Sequence, residues 1–134
     1  MLSLAIGAMI AGCGRIWGGA NRCTYNGSWH TTDSYQLSSG LNSNPSGGLT
    51  DVDGAVYVLG YGMSGATAHW IVRKQFPGQS NWVTVDDFIY QGTYQSWAYG
   101  MTIGPRGELL VVGYTLDGGA VYHGIIRKST DHGG

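Results

Sequence analysis

Trp29 and Trp82 open two stretches that run in step, Trp29-His30-Thr31-Thr32-Asp33-Ser34-Tyr35 and Trp82-Val83-Thr84-Val85-Asp86-Asp87-Phe88, 53 residues apart. The same offset lays Gly54-Ala55-Val56-Tyr57-Val58-Leu59-Gly60-Tyr61 on Gly107-Glu108-Leu109-Leu110-Val111-Val112-Gly113-Tyr114. One further loop residue lays His69-Trp70-Ile71-Val72-Arg73-Lys74 on His123-Gly124-Ile125-Ile126-Arg127-Lys128. A repeat of this length is one supersecondary unit, and such units bury their apolar surface against one another. The period therefore constrains architecture far more than chemistry.

Few charges (11% of residues) with 24 Gly, nine Tyr and five Trp suit short strands joined by tight turns, so the expected class is all-β. Seven basic against eight acidic residues exclude a general electrostatic grip on nucleic acid. Strands are predicted over Trp82 to Tyr90, Ser96 to Ile103, Glu108 to Thr115 and Val121 to Ser129. Gly104-Pro105-Arg106-Gly107 and Asp117-Gly118-Gly119 are the intervening turns, and Asp51-Val52-Asp53-Gly54 is the earlier unit's counterpart of the first. Val56-Tyr57-Val58-Leu59 and Leu109-Leu110-Val111-Val112 are apolar on both faces, so both faces need cover. Four-stranded antiparallel sheets stacked face to face around an axis provide it, which is the β-propeller arrangement. The chain then holds about two blades over residues 28–134: a fourth strand at Trp29, a complete unit, and a final unit without its fourth strand. Closure takes about four to eight blades, so the expectation is a fragment of a longer repeat protein or an oligomer-completed ring.

The turn ahead of each Trp resembles the Asp-box of bacterial-neuraminidase repeats, Ser-x-Asp-x-Gly-x-Thr/Ser-Trp. Ser129, Asp131 and Gly133 give its first half; Trp82 keeps only the Trp, and Ser28 and Trp29 keep two positions. Together with the Ile-Val-Arg-Lys and Val-Val-Gly-Tyr strands, the unit is similar to the tandem Asp-box repeats of bacterial secreted and surface propellers. The resemblance implies a folding device at the rim, away from any sialidase active site. A sialidase also needs an arginine cluster and an Arg-Ile-Pro segment, and Arg73 and Arg127 occupy one equivalent repeat position instead.

Residues 1–12 include a charge-free, weakly apolar run, Leu2 to Ala11, too short to span a bilayer and of signal-peptide core length. It ends in Ile10-Ala11-Gly12-Cys13, which resembles the bacterial lipobox. A leader would make Cys13 the lipidated first residue of an exported chain, periplasmic, anchored at the outer membrane or extracellular; the other reading is a buried strand. Residues 13–27 then form a Gly-rich spacer. The two cysteines admit one bridge by count, and if Cys13 is lipidated, Cys23 is a packing residue.

No residue is nominated as catalytic, and no cofactor or metal is expected. Asp86 and Asp87 are adjacent on a strand and point to opposite faces, against a shared acid–base role. Asp51 to Gly54 lacks the later ligands of a calcium loop and reads as a hairpin turn. His69 and His123 recur in register, which favours a structural hydrogen bond. Tyr61, Tyr114, Trp97 and Tyr99 are the binding candidates: aromatics near strand ends stack on sugar rings or anchor a protein partner, although packing between blades also uses them. The expected function is a binding or scaffold module at the cell surface, its partner a carbohydrate or a surface protein. The alternative is a non-catalytic remnant or part of a sialidase-like glycoside hydrolase.

Overall fold

A computed structural model describes residues 27–133, so the leader, the spacer up to residue 26 and the lipidation candidate Cys13 lie outside the described residues. The described residues contain strands and turns and no helix, so none is long and apolar enough to cross a membrane. Seven strands form two antiparallel sheets in sequential order. The first sheet holds β1 (Ser43–Thr50), β2 (Val56–Ser64), β3 (Thr67–Gln75) and β4 (Trp82–Phe88). The second holds β5 (Ser96–Ile103), β6 (Leu109–Leu116) and β7 (Tyr122–Ser129).

The sequence repeat is a structural repeat. β1 slips register between Pro45 and Gly47 against β2, and β5 slips between Ala98 and Gly100 against β6, at positions 53 apart. Each bulge faces a glycine that has no room for a side chain. A Cβ on Gly60 would lie 2.0 Å from the Asn44 carbonyl oxygen, and one on Gly113 2.0 Å from that of Trp97 and 2.6 Å from the Trp70 ring. Hairpin turns fall where the sequence predicts them. In the first, the Asp51 carboxylate accepts the amides of Asp53 (3.0 Å) and Ala55 (2.8 Å), and Gly54 takes the left-handed conformation at φ 88°.

The core lies between the sheets, which form one compact unit from Thr31 onward. Tyr57, Leu59, Trp70 and Val72 of the first sheet are at most 1% exposed, packed against Ala98, Leu109 and Val111 of the second. Face-to-face sheets of this kind remove water from both inner surfaces at about 25 cal/mol per Å² of apolar area. The indole of Trp70 meets Phe88 edge to face at 6.3 Å. β6, predicted to be covered on both faces, is covered on one. Leu109 and Val111 are buried, whereas Val112 on the opposite face is 45% exposed and Ile126 beside it on β7 is 73% exposed.

Two expectations are corrected. The stretch at Trp29 is not a strand: residues 27–42 carry no strand, and Trp29 is fully exposed among the described residues. A strand exists only where a neighbour takes its backbone hydrogen bonds, and none runs beside this stretch among the described residues. The strand from Trp82 ends at Phe88 and not at Tyr90, which forms an isolated bridge to Tyr94 in the turn leading to β5.

Candidate functional site

β5 and β6 pair so that Trp97 lies opposite Tyr114, and the extra residue of the β5 bulge, Tyr99, stands beside them. The hairpin turn from Asp117 to Val121 starts β7 at Tyr122, diagonal to Tyr114. Four aromatic rings therefore gather on the open face of the second sheet. Tyr99 stacks on Tyr114 at 5.2 Å and 16°, Trp97 lies tilted against Tyr114 at 5.0 Å, and Tyr122 meets Tyr114 edge-on at 5.2 Å. Tyr99 is 52% and Tyr122 67% exposed.

The Tyr99 and Tyr114 hydroxyls share a hydrogen bond of 3.3 Å. That bond, then burial, pushes the Tyr114 hydroxyl up to about 12, so it stays protonated at neutral pH. Gly124, opposite Tyr114 on β7, has nothing within 4 Å of where a side chain would begin, which leaves a hollow beside the rings. The patch thus offers apolar ring surface, two hydroxyls and an open floor.

Of the four binding candidates, three meet here. Tyr61, the repeat counterpart of Tyr114, lies on β2 beside a different feature, a cleft of about 280 Å³ lined by Asp33, Tyr35, Val58, Ile71, Arg73 and Trp82 among others. Tyr122, the fourth ring of the patch, was not among the sequence candidates. Its signal was available: the Asp117-Gly118-Gly119 turn fixes the hairpin register that sets Tyr122 opposite Leu116.

The cleft is a feature of the repeat. A second cleft, of about 580 Å³, is lined by Val85, Asp86, Val111 and Arg127, which are the repeat counterparts of Thr32, Asp33, Val58 and Arg73 in the first. In both, the arginine is already engaged. Arg73 reaches Asp33 through Nε and Nη2, each at 3.0 Å, and covers the Tyr35 ring at 4.4 Å. Arg127 reaches Asp86 at 2.7 and 2.8 Å and covers the Phe88 ring at 4.1 Å. Such forked pairs hold elements together and leave no guanidinium for a substrate carboxylate.

The other polar candidates are also placed by their partners. Asp86 and Asp87 do face opposite ways, Asp86 to Arg127 and Asp87 to His69 Nδ1 at 2.7 Å. His123 Nε2 meets Asp117 at 2.8 Å and its ring stacks on Tyr90 at 5.5 Å. Asp117 also accepts the amides of Gly119 and Val121, and the His123 bond, ahead of these, holds its carboxyl below the usual carboxylate range.

In the Asp-box-like turn, the Ser129 hydroxyl donates to Asp131 at 2.5 Å and accepts the Gly133 amide at 2.7 Å. His132 is left-handed at φ 56°, and its carbonyl accepts from Lys74 Nζ at 2.7 Å across the sheet interface. The Tyr57 hydroxyl lies between that carbonyl (2.9 Å) and the Asp51 carboxylate (3.1 Å). Ser28 and Trp29 lie in exposed coil, and Trp82, at the start of β4, lines the first cleft. Among the described residues no cluster of three or more His, Cys, Asp or Glu is placed to hold a metal ion. Comparison with protein-family models, with curated proteins and with solved structures finds no match to this chain.

Proposed function

We propose that this chain is a propeller-type binding module, exported and held at a cell surface, which takes carbohydrate on the patch of Trp97, Tyr99, Tyr114 and Tyr122. The observation that carries the proposal is the patch itself: three rings packed on that of Tyr114 on an open sheet face, two of them more than half exposed. The C–H face of a pyranose stacks on such rings, and hydroxyls beside them orient it. The Tyr99 and Tyr114 hydroxyls, bonded to each other, keep acceptor capacity for that purpose, and the space over Gly124 is open.

The propeller reading draws on the two sequentially ordered antiparallel sheets, their stacking, and the bulge repeated at one position of each. The Ser129–Asp131–Gly133 turn is compatible with the Asp-box resemblance, and the lipobox-like Ile10 to Cys13 is the ground for surface localisation.

A glycan array run beside a fluorogenic sialoside assay tests the function. The expected result is binding of a subset of glycans without hydrolysis. Tyr122→Ala should weaken binding about tenfold, the effect of losing roughly 1.4 kcal/mol. Gly124→Val should block the hollow without unfolding a strand that has room for the side chain. An array with no bound glycan, or turnover of the sialoside, would refute the proposal.

A further inference from the structure

The two sheets pack by a rule that the second sheet leaves half used. The face of the first sheet bearing Tyr57, Leu59, Val72 and Lys74 is buried by the second sheet. By the repeat, the counterparts of these residues are Leu110, Val112, Ile126 and Lys128, on the face of the second sheet that no other strand among the described residues covers. The surface that would cover it is the kind the second sheet itself turns to the first, built on Leu109, Val111 and Arg127. The first sheet carries that kind of surface on its other side, on Val56, Val58 and Arg73. One chain therefore bears both halves of a head-to-tail contact.

A second observation fixes the register. β4 lies beside β3 in the first sheet and sends Asp86 and Phe88 to clamp Arg127 of the second. Residues 31–35 clamp Arg73 in the same way, with Asp33 and Tyr35 at the repeat positions of Asp86 and Phe88. They hold the place of a fourth strand belonging to a sheet that would precede the first. Among the described residues these five make no backbone–backbone hydrogen bond, and the outer edge of β7 has no partner strand. A free edge and a pre-aligned, unpaired segment are two halves of one ladder.

We infer that a second copy of this chain docks head to tail on the open face of the second sheet, its residues 31–35 adding to β7 as the fourth strand. Transferring the pairs Trp70 with Phe88 and Val72 with Asp86 sets Gly124 of one copy against Tyr35 of the other, and Ile126 against Asp33. Lys128 reaches the main-chain carbonyl of Gly78 in the second copy, as Lys74 reaches that of His132 within the chain. The contact is heterologous, so it propagates until a ring closes. Heterologous contacts of this kind close into a ring when the rotation between copies permits it. The docked copy covers the face that also carries Trp97, Tyr114 and Gly124, so the two readings claim one surface. The inference rests on the stacking rule and not on the carbohydrate reading: the glycan array is read on dilute, monomeric protein and the assembly without glycan, so failure of either leaves the other standing.

Sedimentation equilibrium of the whole 134-residue chain across a concentration series, with amide hydrogen exchange at each end of the series, tests it. The expected result is a closed multiple of the 14.3 kDa chain, with amides of residues 31–35 protected only in the assembled state. Ile126→Lys, at a side chain 73% exposed, should return the chain to a monomer with an unchanged far-UV spectrum. Lys128→Glu, also on the exposed face, should do the same and replaces that variant should it fail to fold. A monomer at every concentration overturns the inference. So does an oligomer in which residues 31–35 stay unprotected, or one that survives both substitutions.

Discussion

Val72 and Ile126 occupy one position of the repeat in opposite circumstances, 1% and 73% exposed. Truncating each to Ala therefore measures what covering a sheet face contributes in this molecule. At Val72 two buried carbons are lost, about 1.6 kcal/mol at roughly 0.8 kcal/mol per buried methylene. The space left between the sheets adds about 1 kcal/mol, since a residual cavity costs about 24 cal/mol per Å³. Val72→Ala should thus destabilise by about 2.5 kcal/mol. Ile126→Ala removes three carbons that are only about a quarter buried, so the transfer cost is about 0.6 kcal/mol, with no cavity. Both changes lower strand propensity by less than about 1 kcal/mol, and that cost largely cancels in the comparison.

The difference of about 2 kcal/mol is read by urea unfolding of dilute, monomeric protein. At a slope near 1 kcal/mol per M, the lower end for a small domain, the two midpoints should separate by about 2 M with unchanged slopes. Equal costs at the two positions in the monomer would refute the assignment of one face as core and its counterpart as open. Repeating the series at high concentration distinguishes assembly: Ile126→Ala then becomes more costly, because mass action adds the association free energy to the wild type alone.

Gly113→Ala should cost more than about 3 kcal/mol or prevent folding, because its Cβ would overlap the Trp97 carbonyl and the Trp70 ring; thermal unfolding monitors it. A double-mutant cycle on Asp86 and Arg127 should give a coupling of about 1 kcal/mol that shrinks with added salt, as expected for a forked pair near the surface. Tyr57, by burial and then its bond to Asp51, and Tyr114, by its bond to Tyr99 and then burial, are both held up to about 12 from 10.0. Their contribution to stability is full below pH 10 and is lost as pH rises toward 12, because the unfolded chain releases these protons first; ultraviolet titration should show two late tyrosines, one of them returning toward 10 in Tyr99→Phe. Burial alone would raise the Asp51 carboxyl, but the amides of Ala55 and Asp53 and the Tyr57 hydroxyl together bring it below 3.8, so stability is present above that pH and falls as pH drops through the lowered value. Asp51→Asn should cost about 1–2 kcal/mol at pH 7 and flatten the acid limb of the stability profile, since it keeps one acceptor and turns an amide toward Tyr57.

The all-β class, the turns, the in-register strands of the two units and the separation of Asp86 from Asp87 were legible because they follow from local periodicity and turn chemistry. Ser96–Ile103 falls where it is predicted to the residue. Its counterpart β1 was not placed, for a clear reason: Ser-Asn-Pro-Ser-Gly-Gly-Leu-Thr has almost no strand propensity, and Pro45 and two glycines argue against one. It is a strand because β2 offers it a ladder and because an edge strand tolerates proline at a bulge. Trp29 erred the other way. Its segment matches β4 in sequence, but strand formation is a property of pairs, and the pairing partner is missing beside it among the described residues. The aromatic patch was legible in part, since Trp97, Tyr99 and Tyr114 stood out as a set. Tyr122 belongs to the patch through hairpin register, and the apolar Val112 and Ile126 looked like core until the exposure of their face was known.

The Arg–Asp–aromatic clamp shows why a repeat can be read twice. Asp33 and Asp86, Tyr35 and Phe88, and Arg73 and Arg127 are matched pairs in the sequence, yet nothing in a linear alignment says that the first two sets meet the third. In the fold each carboxylate and ring comes from the segment preceding a sheet, and each arginine from the third strand of that sheet. A salt-bridged fork over an aromatic ring contributes little to net stability where solvent reaches it, roughly 1 kcal/mol or less. Its strength is geometric: a planar fork accepts a carboxylate in one orientation, so it fixes how far one sheet slides along the next. The apolar faces would pack in several offsets at similar cost, whereas the clamp admits one. Two clamps at one repeat distance therefore encode a stacking vector, applied at Arg127 by a paired strand and at Arg73 by a segment that makes no backbone ladder among the described residues.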